Sequence, residues 1–266
     1  MMPVHEIIKS TSWLAQPSGR CCLKGTLHEG TSRGHFETVA GVETYISRPK
    51  ADYANGHILL YFPDVWGMFP NGLLVMDAFA DAGYLVLGLD YFRGDPVWKH
   101  RRNRHDQSNP NFDYEAWKQK HMKFADEAVP RWIEEVKRTY GQPSTKYACV
   151  GYCFGAPYVC NELAKETVTA GAFAHPAFLR EEHFTKITSE CSHPCTPKHS
   201  TGDSSLNAEP LFLSCAEEDH TFDKNSRRTA LRILQSGRKT YHLQLFSGAE
   251  HGFALRGDMK DPYQRE

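Results

Sequence analysis

The chain has 266 residues, 40% apolar, 12% aromatic and 24% charged, a mix that fills a sizeable core and excludes disordered, collagen-like and fibrous classes. With 31 Lys plus Arg against 32 Asp plus Glu, the net charge is −1, so overall charge favours neither nucleic acid nor an anionic membrane surface. No apolar run reaches the roughly 18–20 residues of a membrane span, which leaves a small-molecule task, and the length suits one α/β domain over residues 1–266.

Met1 to Gln16 scatters His5, Glu6 and Lys9 among short apolar pieces without a leader-like apolar core, and a cytosolic protein is expected. Eight cysteines in such a chain read as reduced thiols rather than a disulfide framework; the neighbours Cys21 and Cys22 would bridge only with strain.

Short runs rich in Val, Ile, Tyr and Phe alternate with segments of helical spacing, the pattern of parallel strands joined by crossover helices. In chain order the strands are predicted at Val42–Ser47, His57–Phe62, Tyr84–Asp90, Tyr147–Tyr152, Val168–Ala174, Pro210–Cys215 and Tyr241–Phe246. The helices are predicted at Gly72–Ala82, Tyr114–Tyr140, Ala156–Glu166, Arg180–Ile187 and Lys224–Ser236. Within Tyr114–Tyr140, Trp117, His121, Phe124, Ala125, Ala128, Trp132, Ile133 and Val136 share one face. Pro130 predicts a kink or a break there, and Gly141 with Pro143 predicts the stop. Two segments fall outside the rhythm and read as loops: the basic run Lys99–His105 and the Ser, Thr, Pro, Cys and His mixture Ser189–Asn207.

The strongest local signal is Gly151-Tyr152-Cys153-Phe154-Gly155, between a predicted strand and a predicted helix. It reads as the nucleophile elbow G-x-S-x-G with sulfur in place of oxygen. The following helix aims its N-terminal dipole at the sulfur and favours thiolate. Asp219 and His251 follow just past later strands, in the order this fold requires, at the strand ends where open α/β sheets place ligands. In this reading His251 takes the thiol proton, Asp219 orients the imidazole, and Cys153 attacks a carbonyl to form an acyl-thioester. The backbone N–H groups of Phe154 and Val65 would hold the oxyanion.

Further pieces are His28-Glu29-Gly30, Gly41-Val42-Glu43-Thr44-Tyr45, Asp64-Val65-Trp66-Gly67, Asp90-Tyr91-Phe92-Arg93-Gly94, His175-Pro176, and His251-Gly252-Phe253 with Arg256. On these and the Cys-containing elbow, the chain resembles the fungal branch of the dienelactone hydrolase (carboxymethylenebutenolidase) family from about Gly25 to Asp258. The resemblance implies an α/β-hydrolase fold with a mostly parallel sheet flanked by helices on both faces. It also implies a cofactor-free hydrolase, monomeric with weak dimerisation left open, that opens an unsaturated lactone to an oxo-dienoic acid such as maleylacetate. Asp64 stands where the family has an acid that pairs with the resting thiol, and Arg93 and Arg256 stand where it binds the substrate carboxylate; Trp66 should border that pocket. This sequence departs from the family pattern in three ways. Asp64 is one methylene shorter than the glutamate of bacterial members, Arg256 follows His251 by five positions rather than four, and Ser189–Asn207 has no counterpart.

The run Cys191-x-His193-x-Cys195 with His199 lacks a standard zinc spacing, so no metal and no cofactor is expected. The triad fixes acyl transfer but not the acyl group, so a carboxylesterase or thioesterase stands beside the lactone hydrolase. A ligand-binding homologue without turnover and a redox-sensing thiol are the rivals from other classes.

Overall fold

The computed structural model of the chain describes residues 13–17, 26–101, 108–188 and 207–265. Alternating Val, Ile, Leu and aromatic runs build one eight-stranded sheet in the order β1-β2-β4-β3-β5-β6-β7-β8. The strands are β1 (His35–Val39), β2 (Val42–Ser47), β3 (Ile58–Phe62), β4 (Leu85–Leu89), β5 (Tyr147–Tyr152), β6 (Ala170–Ala174), β7 (Asn207–Glu218) and β8 (Lys239–Glu250). β1 and β2 form an antiparallel hairpin, β2 meets β4 antiparallel, and all remaining pairs are parallel. β3, β5, β6, β7 and β8 are consecutive neighbours, so the loops at their carboxyl ends lie along one edge.

The helices are α1 (Pro70–Asp81), α2 (Tyr114–Tyr140), α3 (Ala156–Ala164), α4 (Glu181–Thr188), α5 (Lys224–Ser236) and two single turns, α6 (Phe253–Arg256) and α7 (Pro262–Arg265). Period-2 alternation in β3 sends adjacent side chains to opposite faces. Phe62 packs on Trp132 of α2 and Tyr158 of α3, while Tyr61 turns to Gly72 of α1. Helices therefore cover both faces, as the family resemblance implied. Among the described residues no helix is long and apolar enough to cross a membrane.

Three strands differ from the sequence expectation. β1 carries no apolar run, because four of its five residues are exposed, and its turn places Ala40 at φ 50°, where Asn, Asp or Gly is the usual signal. α2 has the expected bounds and runs as one helix of 27 residues through Pro130, so of the kink or break expected there the break is not made. Asp113 starts it, its side chain accepting from the N–H groups of Glu115 and Ala116 at 2.9 and 3.0 Å. β7 and β8 run longer than their apolar cores, so that Asp219 and His251 come directly after the last strand residue of each. The basic loop is described only as far as Arg101, and of Ser189–Asn207 only Asn207, the first residue of β7, lies within the described residues. The Cys191–His199 cluster and Cys21–Cys22 lie outside them.

Candidate active site

Cys153 sits at the bend between β5 and α3, buried, with φ at 46°. That value is uncommon for a residue with a side chain and is held only where surrounding structure dictates it. The flanking glycines make the bend possible. A Cβ on Gly155 would lie 2.2 Å from the Phe62 carbonyl oxygen, and one on Gly151 would lie 2.6 Å from the Gly155 oxygen. The turn is thus pressed against the central strand β3 at a spacing that only glycine permits. Cys153 to Gly155 form a short 3-10 turn leading into α3, and Phe154 is in its first turn, where N–H groups lack an intrahelical acceptor.

At the ends of β7 and β8, Asp219 and His251 meet. His251 Nδ1 lies 2.9 Å from Asp219 Oδ2 and 3.0 Å from Oδ1, with both side chains 1% exposed. Asp219 Oδ1 also accepts from the Thr221 N–H at 2.9 Å and the Thr221 hydroxyl at 2.6 Å. Burial works to raise the Asp219 carboxyl, but the charge and hydrogen bond of His251 and the hydrogen bonds of Thr221 outweigh it and hold the group well below the usual carboxylate range. Asp219 is therefore ionised, and the geometry places the His251 proton on Nδ1.

The loop after β6 connects these pieces. The N–H of Ala177 donates to the Cys153 carbonyl at 3.0 Å. The Pro176 carbonyl lies 2.9 Å from the Thr221 hydroxyl. His175, at φ 36°, lies edge-to-face with His251 at 5.0 Å between ring centroids and also borders Tyr152 and Phe253. Burial, reinforced by His251, pushes the His175 imidazole far down from its ordinary value, so this histidine is a neutral neighbour. Neither Thr221 nor His175 was given a role by the sequence. The sequence hint for Thr221 is its place two residues after Asp219, the spacing of an Asx turn.

Asp64 follows β3 and is fully buried. Its Oδ1 accepts from the Trp66 N–H at 2.9 Å. Its Oδ2 pairs with the guanidinium of Arg256, whose side chain is 1% exposed and lies 5.4 Å from the centre of the Trp66 ring. Asp64, expected to pair with the resting thiol, turns this oxygen to Arg256. The reason is Gly252, at φ 96°, where a Cβ would stand 2.2 Å from Arg256 Nη2; without it the guanidinium folds back along α6. Val65 is buried, and its carbonyl accepts from the Val97 N–H at 3.0 Å.

Arg93 stands apart from this group. It is exposed, and its guanidinium lies 4.4 Å from the centre of the Phe124 ring on α2. The Asp90 carboxylate, accepting from the N–H groups of Phe92 and Gly94, closes the turn that carries it. The structure thus brings Asp219 with His251, and Asp64 with Arg256 and Trp66, but joins Arg93 to neither. Among the described residues no group of three or more His, Cys, Asp or Glu is placed to hold a metal ion.

Comparison with known proteins agrees with this architecture. Residues 42–266 match the model of the dienelactone hydrolase family. Over 253 residues the chain is 37% identical to Dienlactone hydrolase 2 of Gibberella moniliformis, covering 95% of this chain and 89% of that one. Dienlactone hydrolase 1 of the same fungus is 36% identical, with 94% and 88% covered. A solved structure of a dienelactone hydrolase-like promiscuous phosphotriesterase from metagenomic libraries superposes with a TM-score of 0.54 at 15% identity, covering 89% of this chain and 88% of that one; at that identity the likeness speaks for the fold.

Proposed function

Because the chain belongs to the dienelactone hydrolase family and is a hydrolase of the lactone and ester type, we propose that it works through a Cys153-His251-Asp219 triad on a small carboxylated unsaturated lactone. The observation that carries this reading is the buried Asp219–His251 pair, set along the same sheet edge as the strained Cys153 turn and joined to it through the Pro176–Ala177 loop.

Each step follows from the groups present. The Cys153 thiol gives its proton to His251 Nε2, and ionised Asp219 stabilises the imidazolium. The thiolate sulfur then bonds to the lactone carbonyl carbon, and the oxygen gathers negative charge before the N–H groups of Phe154 and Val65. Collapse of that centre breaks the ring C–O bond, and the leaving oxygen takes the proton from His251. A water molecule, deprotonated by His251, attacks the thioester carbonyl; the C–S bond breaks, and the thiolate and a free carboxylate result.

Arg256 is the favoured anchor for a substrate carboxylate, since a buried guanidinium binds it bidentately and Asp64 is the anion it already faces. Arg93, turned toward Phe124, is the weaker choice. Turnover of a dienelactone by the purified protein, abolished in Cys153→Ala, is the expected result. Turnover of aryl esters alone would reject the lactone assignment.

A further inference from the structure

The Thr221 hydroxyl is 1% exposed as a residue and touches three groups from three loops. Its oxygen lies 2.6 Å from Asp219 Oδ1, 2.9 Å from the Pro176 carbonyl oxygen and 2.9 Å from His251 Nδ1. A hydroxyl has one proton and two lone pairs. Ionised Asp219 and the carbonyl are acceptors only, so the single hydroxyl proton is shared between Asp219 Oδ1 and the Pro176 oxygen, and the hydroxyl oxygen in turn shares with Asp219 the Nδ1–H of His251. Nδ1 therefore faces three oxygens, and the lone pair of the imidazole is left on Nε2.

We propose that Thr221 is a positioning residue: its hydroxyl pins the Nδ1 edge of His251 to the loop after β6, the same loop whose Ala177 N–H holds the Cys153 carbonyl. Imidazole and thiol-bearing turn are thereby tied to one piece of backbone. Asp219 alone grips one edge of the ring and leaves it free to rock about that edge; the hydroxyl removes this freedom and fills the space where water would compete for Nδ1–H. This inference rests on the triad reading for its effect on rate, but its effect on the imidazole does not.

Thr221→Val keeps the shape and deletes the hydroxyl, and Thr221→Ser keeps the hydroxyl. In proton NMR of the intact protein, the downfield Nδ1–H resonance of His251, identified by its loss in His251→Gln, should be sharp in the wild type and in Thr221→Ser. It should be broadened by ring motion and water exchange in Thr221→Val. With p-nitrophenyl acetate, kcat per folded molecule should fall about tenfold in Thr221→Val with KM unchanged, and return to within about threefold in Thr221→Ser. A resonance equally sharp in Thr221→Val overturns the proposal, as does a serine variant no better than valine. If instead Cys153→Ala still turns over the ester, the triad reading fails, while the resonance continues to report on Thr221 by itself.

Discussion

The Asp64–Arg256 pair offers a quantitative test of how the site is held. With side chains 0% and 1% exposed, it belongs to the buried regime, where removing one partner strands the other charge and costs about 3–5 kcal/mol, not to the surface regime of about 0–1 kcal/mol. Asp64→Asn is the sharper perturbation, because its amide oxygen still accepts the Trp66 N–H now held by Oδ1; what is lost is charge. Arg256→Met keeps the apolar stem beneath Trp66. Each single variant should lose about 3 kcal/mol or more of unfolding free energy, while the double variant, with no stranded charge, should lose less than the sum by about 2 kcal/mol. Urea unfolding of the four proteins at one pH, followed by tryptophan fluorescence, measures this cycle. Single losses below about 1 kcal/mol, or a double loss equal to the sum, would refute the claim that the pair is a buried, mutually dependent unit.

Gly155→Ala should force the elbow off β3, since a Cβ there meets backbone at 2.2 Å; the expected outcome is about 1–3 kcal/mol of lost stability and about a hundredfold lower kcat, read by unfolding and ester assays. His175 contributes to pH dependence in a definite direction. Its folded value is lowered by burial, so below the unfolded value of about 6.5 the unfolded chain binds a proton the folded chain refuses, and stability falls as pH drops, by up to about 1.4 kcal/mol per pH unit. His121 and His183, also lowered by burial, add to that slope, and urea titrations between pH 7 and 5 should be flatter for His175→Phe. Arg93→Ala should lose only about 0.5–1 kcal/mol of stability and shift KM for a dienelactone by less than about twofold; a tenfold rise would return Arg93 to the binding site.

The parts legible in the sequence were those governed by local rules. The glycines around Cys153 announce a tight strand-to-helix bend because the collisions they avoid are with β3 and with the turn itself. Asp219 and His251 could be placed because each follows an apolar strand in a fixed order. What stayed hidden depends on contacts between distant loops. The Thr221 hydroxyl acquires its role only when the loop after β6 brings the Pro176 carbonyl beside it, and a threonine in a loop carries no mark of that. Arg93 and Arg256 look alike as sequence, yet one is exposed over Phe124 and the other buried against Asp64. β1 escaped notice because four of its five residues face solvent, and Phe36 meets its partner, Tyr45 of β2, only once the two strands pair.

The proposed chemistry turns on which atom attacks the substrate. Rapid acid quenching during turnover of a slow aryl ester, followed by peptide mass spectrometry, should find the acyl group on the peptide containing Cys153, at higher occupancy in Asp219→Asn and absent in Cys153→Ala. An acyl group on another residue, or undiminished turnover by Cys153→Ala, would contradict it.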